Sequence, residues 1–211
     1  KIVTIFDLAF LHFPEMFTKK DLWQLKNWTK FSVENSDHII TISKFSKDDI
    51  CRQYNIPTEK ITVAYPGYDQ EKFSARGGSS FGRKVEKIKR KYKIGDNYII
   101  FIGTLQPRKN IVRLIEAVSR IENLHLVIIG KIKGEGRQGW MYEDILRAPQ
   151  NFGIEDRVRF LGFVADEDLS YLLSGSMAFI LPSLWEGFGI PVLEAMATGT
   201  PVIVSNVSSL P

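Results

Sequence analysis

A glycine, an arginine and a lysine lie close together in a segment near the middle of the chain. The segment is Gly103-Thr-Leu-Gln-Pro-Arg108-Lys109-Asn110, and we expect Asn110 to cap a helix over Ile111–Ile121. Cations at a helix start are unfavourable by about 0.3–1 kcal/mol each, because the helix dipole is positive there. A bound anion reverses that sign, and the guanidinium fork, the ammonium and a bare backbone suit a phosphate. We predict a phosphate site, with two solvated surface cations as the alternative.

Two glutamates flank a glycine-rich turn further along the chain. The sequence is Glu186-Gly-Phe-Gly-Ile-Pro-Val-Leu-Glu194. Proline is favoured as a first helical residue, so we expect a helix from Pro191 that has Glu194 in its first turn and Glu186 on the loop before it. Gly187 and Gly189 permit a tight turn whose amides, with those of the helix start, can face a pyrophosphate.

The two carboxylates indicate what lies beside that phosphate. A carboxylate does not bind phosphate but accepts hydrogen bonds from hydroxyl groups, as in a sugar and a ribose. The predicted ligand is therefore a sugar nucleotide. In the alternative interpretation Glu194 only complements the helix dipole, and Glu186 is a solvated loop charge.

Both segments follow apolar runs that we predict to be strands of an α/β fold. Helical or loop-plus-helix segments separate these runs, a pattern typical of a doubly wound parallel sheet. Ligands of such sheets bind outside the carboxyl ends of the strands, where both segments begin. The predicted strands are Tyr98–Ile102, His125–Ile129, Val158–Phe160, Ala178–Leu181 and Val202–Ser205.

A second parallel sheet is predicted in the first third of the chain. Its three β-branched runs alternate with two helical segments, in the order strand, helix, strand, helix, strand. The strands are Ile2–Phe6, His38–Ile42 and Lys60–Tyr65, and the helices are Lys19–Asn35 and Ser46–Tyr54.

A junction between two domains is predicted at Phe73–Gly82. The sequence there, FSARGGSSFG, has a density of glycine and serine that neither strand nor helix is expected to tolerate. We predict a first domain over residues 1–75, a linker over 76–82 and a second domain over 83–211. Both ends of the chain fall next to a strand, so we expect a piece of a larger protein.

Composition limits the class of protein. The 211 residues are 44% hydrophobic and 25% charged, which is enough apolar material for a core. The single cysteine, Cys51, excludes a disulfide framework and a cysteine-rich zinc site. No apolar run approaches the roughly 18–20 residues of a membrane span. We expect a soluble protein of a reducing compartment, the cytoplasm.

Charge also bears on partners. The net charge of +4 suits an anionic ligand or a membrane surface. The basic run Arg83–Lys93 is the one feature that would suit nucleic acid, but its apolar residues Val85, Ile88 and Tyr92 have helical spacing. We interpret the run as a solvated helix face and expect no nucleic-acid partner.

Taken together, these segments resemble a known family. Glu186 and Glu194 within PSLWEGFGIPVLEAMATGTPVI resemble the signature of the retaining glycosyltransferases of the large family 4, which have the GT-B fold of two Rossmann-like domains. GTLQPRKN, FLGFV at Phe160–Val164 and SDHIITISKFSKDDI at Ser36–Ile50 resemble the same family in the same order. The resemblance runs from Ile2 to Pro211. It implies that residues 1–75 are the C-terminal part of a largely truncated acceptor-binding domain. Residues 83–211 would be a donor-binding domain that lacks its last segment.

The resemblance implies roles for individual residues. Glu186, Arg108 and Lys109 would be catalytic: Glu186 contacts donor-sugar hydroxyls, and the two cations contact the diphosphate leaving group. Glu194 would bind the ribose, and backbone around Val164 would pair with the base. The charge of the leaving diphosphate is met by cations and helix amides, so neither a metal nor a cofactor is expected. The donor-binding residues would be Gly103, Val164, Gly187, Phe188, Gly189, Ile190 and Glu194.

The sequence departs from the family after its first strand. Relatives commonly carry a His-Asp pair there, with the histidine in the cleft between donor and acceptor, whereas this chain has Phe6-Asp7. His12 is a candidate substitute, although a lone histidine is more often structural. Asp7 and His12 are the predicted acceptor-side residues.

Asp166-Glu167-Asp168 presents a competing interpretation. An Asp-x-Asp after a strand is the metal signature of the other glycosyltransferase architecture, GT-A. Here leucines at helical spacing follow it. We therefore interpret Asp166 as a helix N-cap and its two neighbours as first-turn acids.

Lysines alternate with large aromatic residues in KKDLWQLKNWTKF, residues 19–31. Such a helix could lie on an anionic membrane that carries lipid-linked acceptors, which would place the protein on the inner face of the cell membrane. The aromatic side chains could instead belong to the domain core, which is the interpretation we favour.

The implied function is retaining transfer of a hexosyl unit, mannosyl- or glucosyl-like, in polysaccharide biosynthesis. The donor would be a GDP- or UDP-sugar, and the acceptor a sugar, a polysaccharide or a lipid-linked sugar. Two alternatives stay open: a non-catalytic module that binds nucleotide sugars, for which Phe6 is the main support, and a GT-B sugar-nucleotide epimerase, which would need no acceptor.

Overall fold

The computed structural model describes residues 1–75, 77–131 and 142–211. They form two compact units, each with its own parallel sheet. Unit 1 consists of Lys1–Gly67, Leu184–Gly189 and Ser205–Pro211, and unit 2 of Tyr68–Ser183 and Ile190–Val204. The domain limits predicted above stay predictions, and residue 76 of the predicted linker lies outside the described residues.

Unit 1 has a three-stranded sheet in the order β1-β2-β3. Its strands are β1 (Ile2–Thr4), β2 (His38–Thr41) and β3 (Ile61–Val63), and its helices are α1 (Ala9–His12), α2 (Lys19–Asn35) and α3 (Lys44–Tyr54). Short 3-10 turns lie at Pro14–Met16 and Thr58–Lys60. The core between sheet and helices is formed by Ile5, Leu8, Phe10, Val33, Ile39, Ile50 and Ile61.

The predicted order of elements in unit 1 is confirmed, but α3 begins two residues before its predicted start. Ser43 caps it, because the Ser43 hydroxyl accepts a hydrogen bond from the Ser46 amide at 3.0 Å. A serine at this position satisfies one of the unpaired amides of the first turn.

Unit 2 has a five-stranded sheet in the order β6-β5-β4-β7-β8, and all its pairs are parallel. The strands are β4 (Tyr98–Ile102), β5 (His125–Ile129), β6 (Val158–Gly162), β7 (Ala178–Leu181) and β8 (Val202–Val204). The helices are α4 (Ser79–Lys91), α5 (Ile111–Ser119), α6 (Glu143–Asn151), α7 (Asp166–Ser174) and α8 (Ile190–Ala197), with a 3-10 turn at Pro107–Lys109.

This strand order creates the place where a ligand is expected. The chain adds strands outward from β4 to β6, then returns to the other side of β4 with β7 and β8. In doubly wound sheets ligands bind outside the carboxyl ends of the strands where the strand order reverses, and here that point lies between β4 and β7. The predicted doubly wound sheet is confirmed.

The start of α4 corrects the prediction for the glycine- and serine-rich junction. Residues from Ser79 to Gly82 are helical, although their composition favours a loop. Phe81 explains the difference, because its ring packs against Tyr171 of α7 at a centroid distance of 5.2 Å. A tertiary contact of this kind outweighs the weak local preferences of glycine and serine.

Asp168 joins α4 to α7. The Asp168 carboxylate accepts hydrogen bonds from Lys91 Nζ at 2.5 Å and from the Tyr92 hydroxyl at 2.7 Å. Burial alone would raise the pKa of Asp168, but these two hydrogen bonds outweigh it and hold the pKa below its ordinary value. Part of the basic run thus pairs with an acid of its own unit.

No helix among the described residues has an apolar stretch long enough to cross a membrane.

Candidate functional site

Three glycines stand at the carboxyl ends of adjacent strands in unit 2. The Gly103 amide donates to the Ile129 carbonyl at 2.9 Å, and the Gly130 amide donates to the Gly162 carbonyl at 3.1 Å. A side chain at Gly130 would collide with the Gly103 carbonyl oxygen. These three glycines, which we call the rim of the sheet, present bare backbone at the carboxyl ends of β4, β5 and β6. Gly130 was absent from the predicted site, although a glycine directly after a predicted strand was a visible signal.

Arg108 and Lys109 lie on the 3-10 turn that follows this rim, and both are partly buried. Arg108 Nε donates to Gln106 Oε1 at 3.1 Å. The Lys109 stem runs beside Gly103, where an added Cβ would lie 3.9 Å from Lys109 Cε. The structure thus brings Gly103 and the Lys109 side chain together, and the phosphate site stays a prediction.

Asn110 corrects a predicted cap. Its side chain makes no capping hydrogen bond to α5, and its backbone is left-handed with φ 57° and ψ 31°. Asparagine is one of the few residues that adopt this conformation readily. It forms the corner between the 3-10 turn and α5, where its left-handed backbone is used and its side chain does not cap the helix.

Glu194 lies deeper in its helix than predicted. The helix α8 begins at Ile190, one residue before Pro191, so no acidic residue lies in the first turn. Proline is tolerated there because first-turn amides have no partner within the helix. Burial raises the pKa of the Glu194 carboxyl; Lys72 opposes the rise and Asp166 adds to it.

Lys72 is part of this region and was missed. Lys72 Nζ pairs with Asp166 Oδ2 at 2.7 Å. The turn before it is shaped by Asp69, whose Oδ1 accepts from the amides of Glu71 at 3.0 Å and Lys72 at 3.1 Å. An aspartate that bonds to amides two and three residues ahead marks such a turn, and this signal was available.

The acids after β6 belong to a helix start. Helix α7 begins at Asp166 itself and is preceded by Ala165, so the predicted N-cap role of Asp166 is wrong, whereas the predicted acids of the first turn are confirmed. Among residues 1–75, 77–131 and 142–211, no group of three histidine, cysteine, aspartate or glutamate side chains could hold a metal ion. Val164 is buried and its neighbour Phe163 is 84% exposed; the role of the Val164 backbone toward a base stays a prediction.

In unit 1 the loop 184–189 is anchored by Trp185. The indole stacks on the His12 ring with centroids 4.0 Å apart and an interplanar angle of 24°. Phe45 and Phe13 meet it edge-on at 4.9 and 6.2 Å. Trp185 is buried, and it directly precedes Glu186 in the chain.

Glu186 itself is 6% exposed and lies on the loop, as predicted. Its amide donates to Ser208 Oγ at 2.9 Å, and its carbonyl accepts from Ser209 Oγ at 2.8 Å. Ser208 has a left-handed backbone with φ 53°. Both backbone groups of Glu186 are thus bound by the segment at 205–211, a pairing that no local pattern indicated.

The glycines beside Glu186 have separate functions. A Cβ at Gly187 would lie 3.1 Å from Asp7 Oδ2, so this glycine packs closely on the predicted acceptor-side aspartate. The other Asp7 oxygen accepts from the Ala9 amide at 2.8 Å. Gly189 has φ 96°, a conformation that glycine favours, and Phe188 faces Tyr65 at 6.1 Å.

His12 is held on its other side by a buried acid. His12 Nε2 lies 2.9 Å from Asp49 Oδ2 and 3.1 Å from Asp49 Oδ1. Asp49 is 3% exposed and was absent from the predicted site. His12 therefore connects a buried carboxylate to the Trp185 ring.

The aromatic residues of α2 correct our preference for a core role. Trp23, Trp28 and Phe31 are 63%, 56% and 66% exposed. Lysines share that surface, and of these Lys30 lies 3.8 Å from Glu34. The helix buries Val33 instead.

Comparisons with known proteins give the class of this chain. Residues 84–211 match the family model "Glycosyl transferases group 1", and residues 4–72 match "Glycosyltransferase Family 4". The chain belongs to the group 1 glycosyl transferases.

Among its relatives are enzymes of O-antigen chains. The chain is 30% identical to O-antigen chain mannosyltransferase B of Escherichia coli over 211 residues, which are 100% of this chain and 54% of that protein. It is 31% identical over 205 residues to O-antigen chain mannosyltransferase RfbU of Salmonella typhimurium, covering 97% of this chain and 52% of the relative. The chain spans about half the length of the curated relatives it matches.

Solved structures share the fold. Sucrose-phosphate synthase from Thermosynechococcus elongatus superposes with a TM-score of 0.78, at 22% identity, over 99% of this chain and 51% of that one. Anabaena HepE in complex with UDP-glucose superposes with a TM-score of 0.79, at 22% identity, over 99% of this chain and 54% of its own. The predicted GT-B fold is confirmed.

Proposed function

We propose that this chain is part of a retaining, metal-independent glycosyltransferase. It moves a hexosyl unit, mannosyl- or glucosyl-like, from a GDP- or UDP-sugar to a sugar, polysaccharide or lipid-linked acceptor. The observation that carries the proposal is the bare rim of the unit 2 sheet, with Arg108 and Lys109 on the turn that follows it. The mannosyltransferase relatives support the choice of sugar.

The reaction requires stabilisation of the negative charge that develops on the leaving diphosphate. When the bond between C1 of the sugar and the phosphate oxygen breaks, its electron pair stays with the diphosphate. Arg108, Lys109 and the amides of the rim receive that charge, and preorganised donors of this kind supply the greatest share of the rate enhancement in many enzymes. The acceptor hydroxyl forms the new bond to C1 and loses its proton to the departing phosphate oxygen.

The glutamates recognise the neutral parts of the donor. Glu186 binds hydroxyls of the transferred sugar, and Glu194 binds the ribose hydroxyls. A carboxylate that exchanges water for hydroxyl partners loses little if the exchange is complete, whereas a missing partner in a buried site is costly. The loss of either glutamate should therefore affect a different part of the donor.

Nucleotide binding by the 211-residue chain tests the donor site. We expect GDP or UDP and their sugars to raise the unfolding temperature, since a ligand at a hundred times its dissociation constant adds about 2.7 kcal/mol. Arg108→Ala with Lys109→Ala should weaken binding by about 10- to 100-fold per lost charged hydrogen bond. Lys84→Ala with Lys87→Ala, a pair of exposed lysines of α4, is the matched control. Equal affinity of the two double variants would contradict the proposal.

A non-catalytic module that binds nucleotide sugars is the second candidate. It is favoured by Phe6, which stands where relatives carry histidine and is 63% exposed. Product analysis separates the candidates: transfer yields a glycosylated acceptor, a module leaves the donor unchanged, and an epimerase converts the donor without acceptor.

We also propose that α2 lies on an anionic membrane surface. Its exposed aromatic side chains suit the interfacial region, and its lysines suit anionic headgroups. The chain should sediment with phosphatidylglycerol-containing vesicles at low salt and far less with phosphatidylcholine alone. Trp23→Ala with Trp28→Ala should reduce binding, whereas Phe163→Ala, which removes an even more exposed aromatic side chain elsewhere, should not. Equal binding to both vesicles would contradict the charge argument.

A further inference from the structure

We infer that His12, held by Asp49, is a positioning residue for Glu186 and acts through the Trp185 ring. The inference rests on the proposed function, because it assigns Glu186 a task in transfer. It gives His12 a role other than contact with the acceptor.

The first step is the fixed orientation of His12. Both carboxylate oxygens of Asp49 lie within 3.1 Å of His12 Nε2. The Asp49 side chain is 4% exposed, and a buried carboxylate requires hydrogen-bond partners, of which Gln53 Nε2 supplies one more at 3.4 Å. An imidazole bound in this way has its ring plane set by a group that cannot turn toward water.

The second step is the transfer of that orientation to Trp185. The imidazole and indole planes are nearly parallel, 24° apart, with centroids at 4.0 Å. The edge of Phe45 meets the indole at 4.9 Å. A ring covered on one face and met edge-on at another contact has few rotamers left, and packed side chains seldom deviate from staggered wells.

The third step is the link from Trp185 to the glutamate. Trp185 is the residue before Glu186, so the indole fixes the chain on the amino-terminal side of the carboxylate. Ser208 and Ser209 fix the backbone of Glu186 itself. A displacement of about 1 Å is enough to cost a hundredfold in rate when reacting groups must be aligned.

The test compares variants that remove one contact at a time. His12→Phe keeps a ring against Trp185 and loses the hydrogen bonds to Asp49. His12→Gln keeps a polar group toward Asp49 and loses the stacked ring. His12→Ala loses both contacts. We expect kcat for transfer to fall at least tenfold in His12→Ala and to recover partly in His12→Phe. The KM for the donor should change less than kcat, because Arg108, Lys109 and Glu194, which are assigned to the nucleotide, lie in unit 2. His38→Ala, which removes an imidazole bound to Thr62 Oγ1 at 2.8 Å, is the matched control.

Fluorescence reports the contact independently of activity. In a variant where Trp185 is the one tryptophan left, removal of the stacked imidazole should change the intensity and wavelength of emission. No change in His12→Ala would overturn the stacking. Unfolding temperatures of all variants show whether a loss of kcat reflects unfolding. His12→Gln keeps a hydrogen-bonding group toward buried Asp49 and keeps the comparison valid if His12→Ala is unstable.

Glu186→Ala separates the two proposals. If it abolishes transfer and His12→Ala keeps the kcat of His38→Ala, the positioning role is wrong and the proposed function stands. If Glu186→Ala keeps full transfer, the proposed function fails and the role of His12 in transfer fails with it. Loss of transfer in both Glu186→Ala and His12→Ala, with partial recovery in His12→Phe, supports both proposals.

Discussion

Glu186 and Glu194 are eight residues apart and are held in place by different means. Glu186 lies on an irregular loop of unit 1, and Ser208, Ser209 and the packed Trp185 ring fix it there. Glu194 lies in helix α8 of unit 2, where the helical register sets its direction. Contacts between segments far apart in sequence support the first glutamate, and local backbone geometry supports the second.

The difference has a chemical consequence. A helix tolerates changes in its neighbours, because its own hydrogen bonds hold the backbone. A loop has no such ladder, so its precision depends on each side chain that touches it. If Glu186 aligns with the reacting bond and Glu194 recognises the ribose, as proposed, the loop glutamate requires more supporting residues than the helical one.

The largest expected effect separates the two glutamates by task. Glu186→Ala should lower kcat for transfer by about a thousandfold or more, equivalent to about 4 kcal/mol, and leave nucleotide affinity nearly unchanged. Glu194→Ala should instead weaken nucleotide binding by about 10- to 100-fold. Calorimetric titration with GDP or UDP and a transfer assay measure both, and the same profile for both variants would remove the distinction.

Asp168→Ala tests the bracing of the helices in unit 2. Loss of the carboxylate leaves the Tyr92 hydroxyl without its acceptor and should cost about 1–3 kcal/mol in the free energy of unfolding. Because hydrogen bonds lower the pKa of Asp168, its contribution is complete above the ordinary aspartate range and is lost as pH falls through the lowered value. Urea unfolding of both proteins should show a gap at neutral pH that narrows on acidification. A gap independent of pH would contradict the ionised pair.

Ser208→Ala tests the support of the loop in unit 1. It removes the partner of the Glu186 amide, at a cost of about 0.5–1.5 kcal/mol in stability. Ser208→Gly removes the same hydroxyl but relieves the left-handed backbone, so it should be the more stable of the two. Both should lose transfer activity if the hydroxyl orients Glu186, and retention of activity in both would show that Trp185 suffices.

The smallest effect concerns Glu194 and pH. Burial raises its pKa, so the folded chain binds the proton more tightly than the unfolded chain does. Stability should therefore decline as pH rises through the interval between the ordinary and the raised pKa. Glu194→Gln should lack this decline and be more stable at neutral pH by roughly half a kcal/mol or less. A decline that persists in Glu194→Gln would assign it to another group.

The contrast between the glutamates also explains what sequence could predict. The strands β4, β5 and β7 were predicted to the residue, because each is an apolar run bounded by turn residues. The loop position of Glu186 followed from two glycines and a proline. Its supports did not, since Asp49 and Ser208 are distant in sequence and nothing local to them indicates a loop elsewhere.

The predicted starts of two helices and the predicted role of one capping residue were wrong. Ile190 extends α8 beyond the proline that was expected to start it, and Phe81 carries α4 into a stretch of glycine and serine. Asn110 was assigned a capping role from its residue type, whereas its left-handed backbone is what the corner requires. At Phe81 a neighbour in space, and at Asn110 a backbone angle, outweighed a statistical preference.

We expect position 130 to tolerate glycine alone among the amino acids. Every other amino acid carries a Cβ, and a Cβ there would collide with the Gly103 carbonyl oxygen, a backbone atom at the end of β4. Polarity, size and charge of the incoming residue are therefore irrelevant. A saturation library at this codon should divide into glycine and everything else, whereas one at Lys109 should rank its variants by charge and reach.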